Sequence, residues 1–211
     1  MLTVVGISDT HGRHALVHPP AGDVLVVAGD ITSFGTMLEL VDFNDWLGSL
    51  PHAHKIVVAG NHDLCCPGQS ADVRKLFTNA TYLENESVVI NGVKYWSSPY
   101  SKRYSDWVFM YNPGTGKLLW DLMPADTDVL ITHGPPVGLG LVPEYMKDGE
   151  ECGCPELTAK ILSMPRLKAM FCGHIHEAHG SVDIGGVPCM NVSCMDGRYN
   201  IKHHGQAITI A

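Results

Sequence analysis

Short apolar runs recur along this chain, and five of them end in a small polar cluster. TVVGIS leads to Asp9-Thr10-His11, VLVVA to Gly29-Asp30, and KIVVA to Gly60-Asn61-His62-Asp63. DVLI leads to Thr132-His133-Gly134, and LKAMFC to Gly173-His174-Ile175-His176. Apolar runs of this length, rich in Val and Ile and closed by turn residues, predict buried strands near 2–7, 24–28, 55–59, 128–132 and 166–172. Residues 36–50 place Met37, Leu40, Val41, Asn44 and Leu47 at helical spacing, with Trp46 and Leu50 nearby. That spacing predicts an amphipathic helix packed on a sheet, stopped by Pro51. Shorter helices are expected over 71–77, 117–123 and 156–163. Two β-like runs around Asn91-Gly92 predict a hairpin over 85–98. Segments 98–114 and 134–155 are expected as loops, and 181–193 with 206–211 as antiparallel strands turning at Gly185-Gly186. There is no repeat, low-complexity tract or linker. A single domain over 1–211 is therefore expected, of α/β (α+β) class.

A chain that closes five strands with Asp, His or Asn is expected to build a site at one sheet edge. Those donor types suit a pair of divalent cations, Mn²⁺ first, with Fe²⁺/Fe³⁺ or Zn²⁺ as alternatives. Two such ions side by side are the usual apparatus for hydrolysing a phosphoester. Asp30 has two carboxylate oxygens, enough to bridge two metals. Asn61 is a neutral oxygen donor. His174 and His176 are alternate residues and face one side of an extended chain. Asp63 is placed to accept a hydrogen bond from His62 and hold its tautomer. Taken singly, each cluster has a plainer reading: Asp9 as a helix cap, Gly29-Asp30 as a turn, His133 as a structural histidine.

The ordered blocks D-x-H, G-D, G-N-H-[DE], H and G-H-x-H, from Asp9 to His176, resemble the calcineurin-like metallophosphoesterase superfamily. The stretches AGDIT, GNHDL, SSPYSKRYSDWVF, THGPP and GHIHEAHG are similar to its metallophosphoesterase-domain-containing branch, related to class III cyclic nucleotide phosphodiesterases. The resemblance implies two packed mixed β-sheets flanked by helices, a four-layer fold. It implies one metal on Asp9, His11, Asp30 and His176, and another on Asp30, Asn61, His133 and His174. His62 would then face the substrate, with Asp63 as its catalytic partner. The implied function is that of a dinuclear metal-dependent phosphodiesterase, with in-line attack by a metal-bridging hydroxide and cyclic nucleotides among its candidate substrates. The alternatives are a phosphomonoesterase or protein phosphatase and, in another class, a metal-binding scaffold without catalysis.

The formal net charge of −8 over 211 residues argues against general nucleic-acid binding. The small phosphoester instead answers to the site, where two carboxylates and a hydroxide leave two dications a net positive charge. No apolar run is long enough to span a bilayer, and Met1-Leu2 lead straight into TVVGIS without the regions of a secretory leader. The seven cysteines are odd in number and lack a disulfide framework, so a cytoplasmic location is expected. Cys65-Cys66 and Cys152-Gly153-Cys154 are expected as buried or loop thiols. Tyr100, Lys102, Arg103, Tyr104 and Trp107 are candidates for stacking a base and touching a phosphate, although a loop whose aromatics pack inward is the favoured reading. His14, Glu177 and His179 are candidates for supporting the ligands from behind. His18, His52, His54, His203 and His204 are expected on the surface or in loops.

Overall fold

The computed structural model describes residues 1–141 and 151–211. One sheet contains β1 (Leu2–Ile7), β2 (Val24–Ala28), β3 (His54–Val58) and β4 (Thr81–Tyr82). The second contains β5 (Glu86–Ile90), β6 (Val93–Ser98), β9 (Val129–Thr132), β10 (Ala169–Cys172), β11 (Gly180–Ile184) and β12 (Val187–Asn191). Between β6 and β9 lie two short strands, β7 (Ser101–Lys102) and β8 (Met110–Tyr111), which pair only with each other. The last strand, β13 (Gln206–Ile210), returns to the first sheet and runs antiparallel to β1. The strand orders are β13-β1-β2-β3-β4 and β11-β12-β10-β9-β6-β5.

The period of two along each apolar run decides the layers. In β2, Val24, Val26 and Ala28 face the second sheet, meeting Tyr95, Val129, Ile131 and Phe171 in a core between the two sheets. Leu25 and Val27 face the other way, onto helices α1 (Met37–Ser49) and α2 (Ser70–Leu76). In β10, Ala169 and Phe171 join the inter-sheet core, while Met170 and Cys172 pack toward α3 (Gly116–Trp120) and α4 (Pro155–Leu162). A strand apolar on both faces needs cover on both, and the result is helix, sheet, sheet, helix.

The differences from expectation are local. Helix α1 starts one residue later because Thr36 is its cap: the Thr36 hydroxyl accepts from the Glu39 N–H, and the Glu39 carboxylate accepts from the Thr36 N–H. Its buried face is Leu40, Phe43, Asn44 and Leu47, which leaves Met37 and Val41 exposed. The segment over 98–114 holds a strand pair rather than a plain loop. The strand expected from 166 begins at Ala169, and β4 had no signal beyond two residues. Part of the expected 134–155 loop, residues 142–150, lies outside the described residues. His52 lies in the loop before β3, as expected of a surface or loop residue, but it is buried there, with its ring Nε2 2.9 Å from the Pro20 carbonyl.

Candidate metal centre

Strands β1, β2 and β3 run parallel in one sheet, and β6, β9 and β10 run parallel in the other. Their carboxyl ends meet, and the chain leaving each strand is zipped to its neighbours. The Asp9 N–H donates to Gly29 O (3.0 Å), His11 N–H to Asp30 O (3.1 Å), and Gly173 N–H to His133 O (3.0 Å). The Asp9 carboxylate also accepts the His174 N–H at 3.1 Å, which ties the two sheets together. These turns are sharp. Asp9, His11, Asp30 and His174 have φ of 55°, 40°, 51° and 72°. They make up half of the eight non-glycine residues in the left-handed region among the described residues. Such conformations cost on the order of 1–3 kcal/mol each and persist where the surroundings impose them, often at functional sites. Two glycines allow the close approach. A Cβ on Gly173 would overlap Ser8 Oγ and Asp9 Oδ2, and one on Gly60 would overlap Asp30 Oδ1.

Seven side chains singled out from the sequence converge here. His11 Nε2 and His176 Nε2 are 3.3 Å apart, with Asp9 Oδ1 3.5 Å from His176 Nε2 and Asp30 Oδ2 3.7 Å from His11 Nε2. On the other side, His133 Nε2 lies 2.9 Å from Asn61 Oδ1, 3.2 Å from His174 Nδ1 and 3.4 Å from Asp30 Oδ1. Asp30 thus offers one oxygen to each group. The tautomers follow from the opposite ring edges. His133 Nδ1 is 2.9 Å from Ala28 O and His176 Nδ1 is 3.3 Å from Asp196 O, and a carbonyl only accepts. When neutral, both rings therefore turn a bare Nε2 lone pair inward, toward other lone pairs. Converging lone pairs call for a cation, and an imidazole whose far N–H is held by a carbonyl is how proteins present a metal ligand. The residues fit divalent metal. His62 Nδ1 or Nε2 also comes within 4.8 Å of ligand atoms of His11 and Asp30, so distance alone does not separate it from the ligands.

Electrostatics agree. Burial opposes charge on Asp9 and Asp30, but the hydrogen bonds and charges of His176 and His133 outweigh it and hold both carboxyls below the usual range. Burial also opposes charge on His133, yet Asp30 and then Asp9 push its pKa up to about 9. His174 is driven down to about 3 by burial and by the positive charge of His133. Below pH about 9 the metal-free site therefore holds a proton on His133, where the lone pairs meet. A cation must displace it. Metal affinity is expected to rise with pH from 7 toward 9, by up to about tenfold per unit for one displaced proton. Titration calorimetry in buffers of different ionisation enthalpy should show that proton released; an affinity flat over this range would contradict the assignment.

The hydrogen bond expected from His62 to Asp63 is not formed. Asp63 is fully buried, and its carboxylate accepts from the N–H groups of Gly60 (2.7 Å), Ile31 (3.1 Å) and Thr32 (2.9 Å) and from the Thr32 hydroxyl (2.8 Å). Adjacent side chains on this turn point apart, so Asp63 braces the ends of β2 and β3 while His62 faces outward. An open pocket of about 200 Å³ lies over the centre, lined by Asp30, Asn61, His62, Tyr104, His174, His176, Glu177, Gly197 and Tyr199. No motif in the sequence marks Tyr199. Its ring centroid is 5.1 Å from that of His11 and 5.0 Å from that of His176. The one local clue was the Asp196-Gly197 turn, whose Asp196 carboxylate accepts from the N–H groups of Arg198 and Asn200. Of the three supporting candidates, only Glu177 lines the pocket. His14 packs against Phe43 and Trp46, and His179 stacks on His203.

Comparison with known proteins places this architecture. The family model described as calcineurin-like phosphoesterase matches residues 2–178. Metallophosphoesterase domain-containing protein 1 of Homo sapiens is 37% identical over 222 aligned residues, which cover 92% of this chain and 67% of that protein. A UPF0046 protein of Caenorhabditis elegans is 36% identical, over 91% of this chain and 75% of its own. In fold alone, the crystal structure of TT1561 of Thermus thermophilus is similar with a TM-score of 0.57 at 13% identity, covering 90% of this chain and 88% of that one. With its metal-ligand clusters and its match over most of its length, the chain belongs to the calcineurin-like phosphoesterase family.

Proposed function

We propose that this chain, as one domain, is a dinuclear metal-dependent phosphodiesterase acting on small phosphodiesters. The observation that carries the reading is the pair of lone-pair clusters that share Asp30. Asp9, His11, Asp30 and His176 would hold one cation, and Asp30, Asn61, His133 and His174 the other. Manganese is the first choice for this mixed nitrogen and oxygen donor set. When bound, the two ions supply an activated water at neutral pH and positive charge against the phosphoryl oxygens.

The chain's own groups do the rest. Asp30 sets the spacing of the two clusters. His133 and His176 are aimed by the carbonyls of Ala28 and Asp196. His62, half-buried at the pocket wall, is placed to donate a proton to the departing oxygen or to stabilise its charge. Asp63 positions this turn and is not a proton-relay partner. Among the described residues the pocket lining contains no Lys or Arg. A monoester dianion would favour such groups, whereas a diester brings a single negative charge, and this supports the diester reading. Seven free cysteines support a reducing, cytoplasmic setting. No helix among the described residues is long and apolar enough to cross a membrane.

The test is a panel with added Mn²⁺: bis(4-nitrophenyl) phosphate, 4-nitrophenyl phosphate, and 3′,5′- and 2′,3′-cyclic nucleotides. Hydrolysis of the diesters, abolished by chelation and restored by Mn²⁺, is expected, with kcat/KM on the chromogenic diester above that on the monoester. A preference for the monoester would make the protein a phosphomonoesterase. Inertness toward every ester with metal bound would leave the scaffold reading.

A further inference from the structure

We propose that Trp107 is a positioning residue that fixes the plane of the His62 imidazole over the pocket. The proposal rests on the reading that His62 assists the leaving oxygen.

The usual orienting partner of such a histidine is a carboxylate. Here the carboxylate next in sequence, Asp63, is turned away and taken up by Gly60, Ile31 and Thr32. The His62 backbone is anchored, its N–H donating to Asp30 Oδ1 at 2.8 Å. That leaves the ring to be aimed by what packs against it. Two aromatic groups do so from two directions. The Trp107 indole lies nearly parallel to the imidazole, with centroids 4.3 Å apart and planes at 26°. The His11 ring meets it edge-on, at 4.7 Å and 88°. An offset parallel stack on a large aromatic face is a favourable arrangement. It restricts rotation of the ring plane without taking up either ring nitrogen in a hydrogen bond. A hydrogen-bonded carboxylate would occupy one of them.

Trp107 is itself held for this task. The segment that carries it is pinched at its base by β7 and β8, with Ser101 N–H donating to Phe109 O (3.0 Å) and Arg103 N–H to Tyr111 O (2.9 Å). Within the turn, the Arg103 guanidinium donates to Asp106 Oδ1 (3.0 Å) and to Ser105 O (3.2 Å). Arg103 is thus committed to its own turn and does not line the pocket. Phe109 adopts a left-handed φ of 50° to turn the chain back into β8. Trp107 is partly buried and is not among the groups that line the pocket, as expected of a residue acting through His62 and not on the substrate directly.

The experiment uses two diesters of nearly equal shape, bis(4-nitrophenyl) phosphate and diphenyl phosphate, with Mn²⁺ present. Phenol is the poorer leaving group and needs the proton more. Trp107→Ala is expected to lower kcat on diphenyl phosphate by roughly 10–10²-fold, the scale of a small misplacement of a catalytic group, with KM and the nitrophenyl ester little changed. Trp107→Leu, which keeps bulk without a flat face, should behave alike and guards against a folding defect. Trp107→Phe should restore most of the rate. In a His62→Ala background, Trp107→Ala should cost nothing further. Independently of activity, the His62 ring protons should resonate upfield under the indole and move downfield in Trp107→Leu. Equal losses on both esters, a change in KM alone, additive losses in the double variant, or unmoved ring protons would each overturn the proposal. If His62→Ala hydrolyses diphenyl phosphate normally, the reading of His62 fails, and the ring-proton shifts still decide whether Trp107 holds the ring.

Discussion

Replacing Asp30 by alanine is expected to remove bound metal from both halves of the centre and to abolish turnover. Among the described residues, Asp30 is the one carboxylate whose oxygens face both clusters, 3.7 Å from His11 Nε2 and 3.4 Å from His133 Nε2. It also accepts the His62 N–H at 2.8 Å, so its loss releases the turn that carries His62. Loss of a group that merely supports a ligand costs about 10–100-fold in affinity or activity; Asp30→Ala should exceed that, and should exceed His11→Ala or Asn61→Ala, each of which touches one cluster. Metal analysis after gel filtration, with turnover on bis(4-nitrophenyl) phosphate, checks this. Wild-type turnover in Asp30→Ala would show that the site is assigned wrongly. Wild-type protein that is fully active with one metal per chain would contradict the shared-carboxylate arrangement.

The second large effect is expected at His62. His62→Ala should retain both metals and lose turnover by about 10²–10⁴-fold, the usual contribution of a positioned acid or base. The loss should be greatest for diesters with alkoxide leaving groups and smallest for nitrophenyl diesters, whose leaving group scarcely needs a proton. Because His62 also approaches His11 and Asp30, metal content is the decisive control. Loss of one ion would make His62 a ligand, and an equal loss of rate across leaving groups would make it a phosphate-positioning group.

The sequence alone singled out the residues that the fold gathers into the candidate metal centre. Each cluster follows a short, largely apolar run rich in β-branched residues and closed by turn residues, which reads as a buried strand with its polar end at the sheet edge. Burial in β1, β2, β3, β9 and β10 bears this out. The motif order, which rests on local chain chemistry, also carried the family. The face of α1 was less legible, because Phe43 and Val41 are equally apolar and only contact with the sheet selects Phe43.

Tertiary structure alone decided how the clusters face one another. Asp9 and His174 are far apart in the chain, and their hydrogen bond exists because two separate sheets bring their strand ends to one place. The tautomers of His133 and His176 depend on carbonyls of Ala28 and Asp196, contacts that no spacing encodes. Asp63 beside His62 invited pairing by proximity in sequence, yet successive side chains on a sharp turn diverge, and four donors from the β2 and β3 ends claimed the carboxylate. Trp107 lies in the SSPYSKRYSDWVF stretch and was a candidate for stacking a base, but only the packing puts it on the His62 ring; Tyr199 reaches the centre from a segment with no motif, since an aromatic ring is placed by the packing around it.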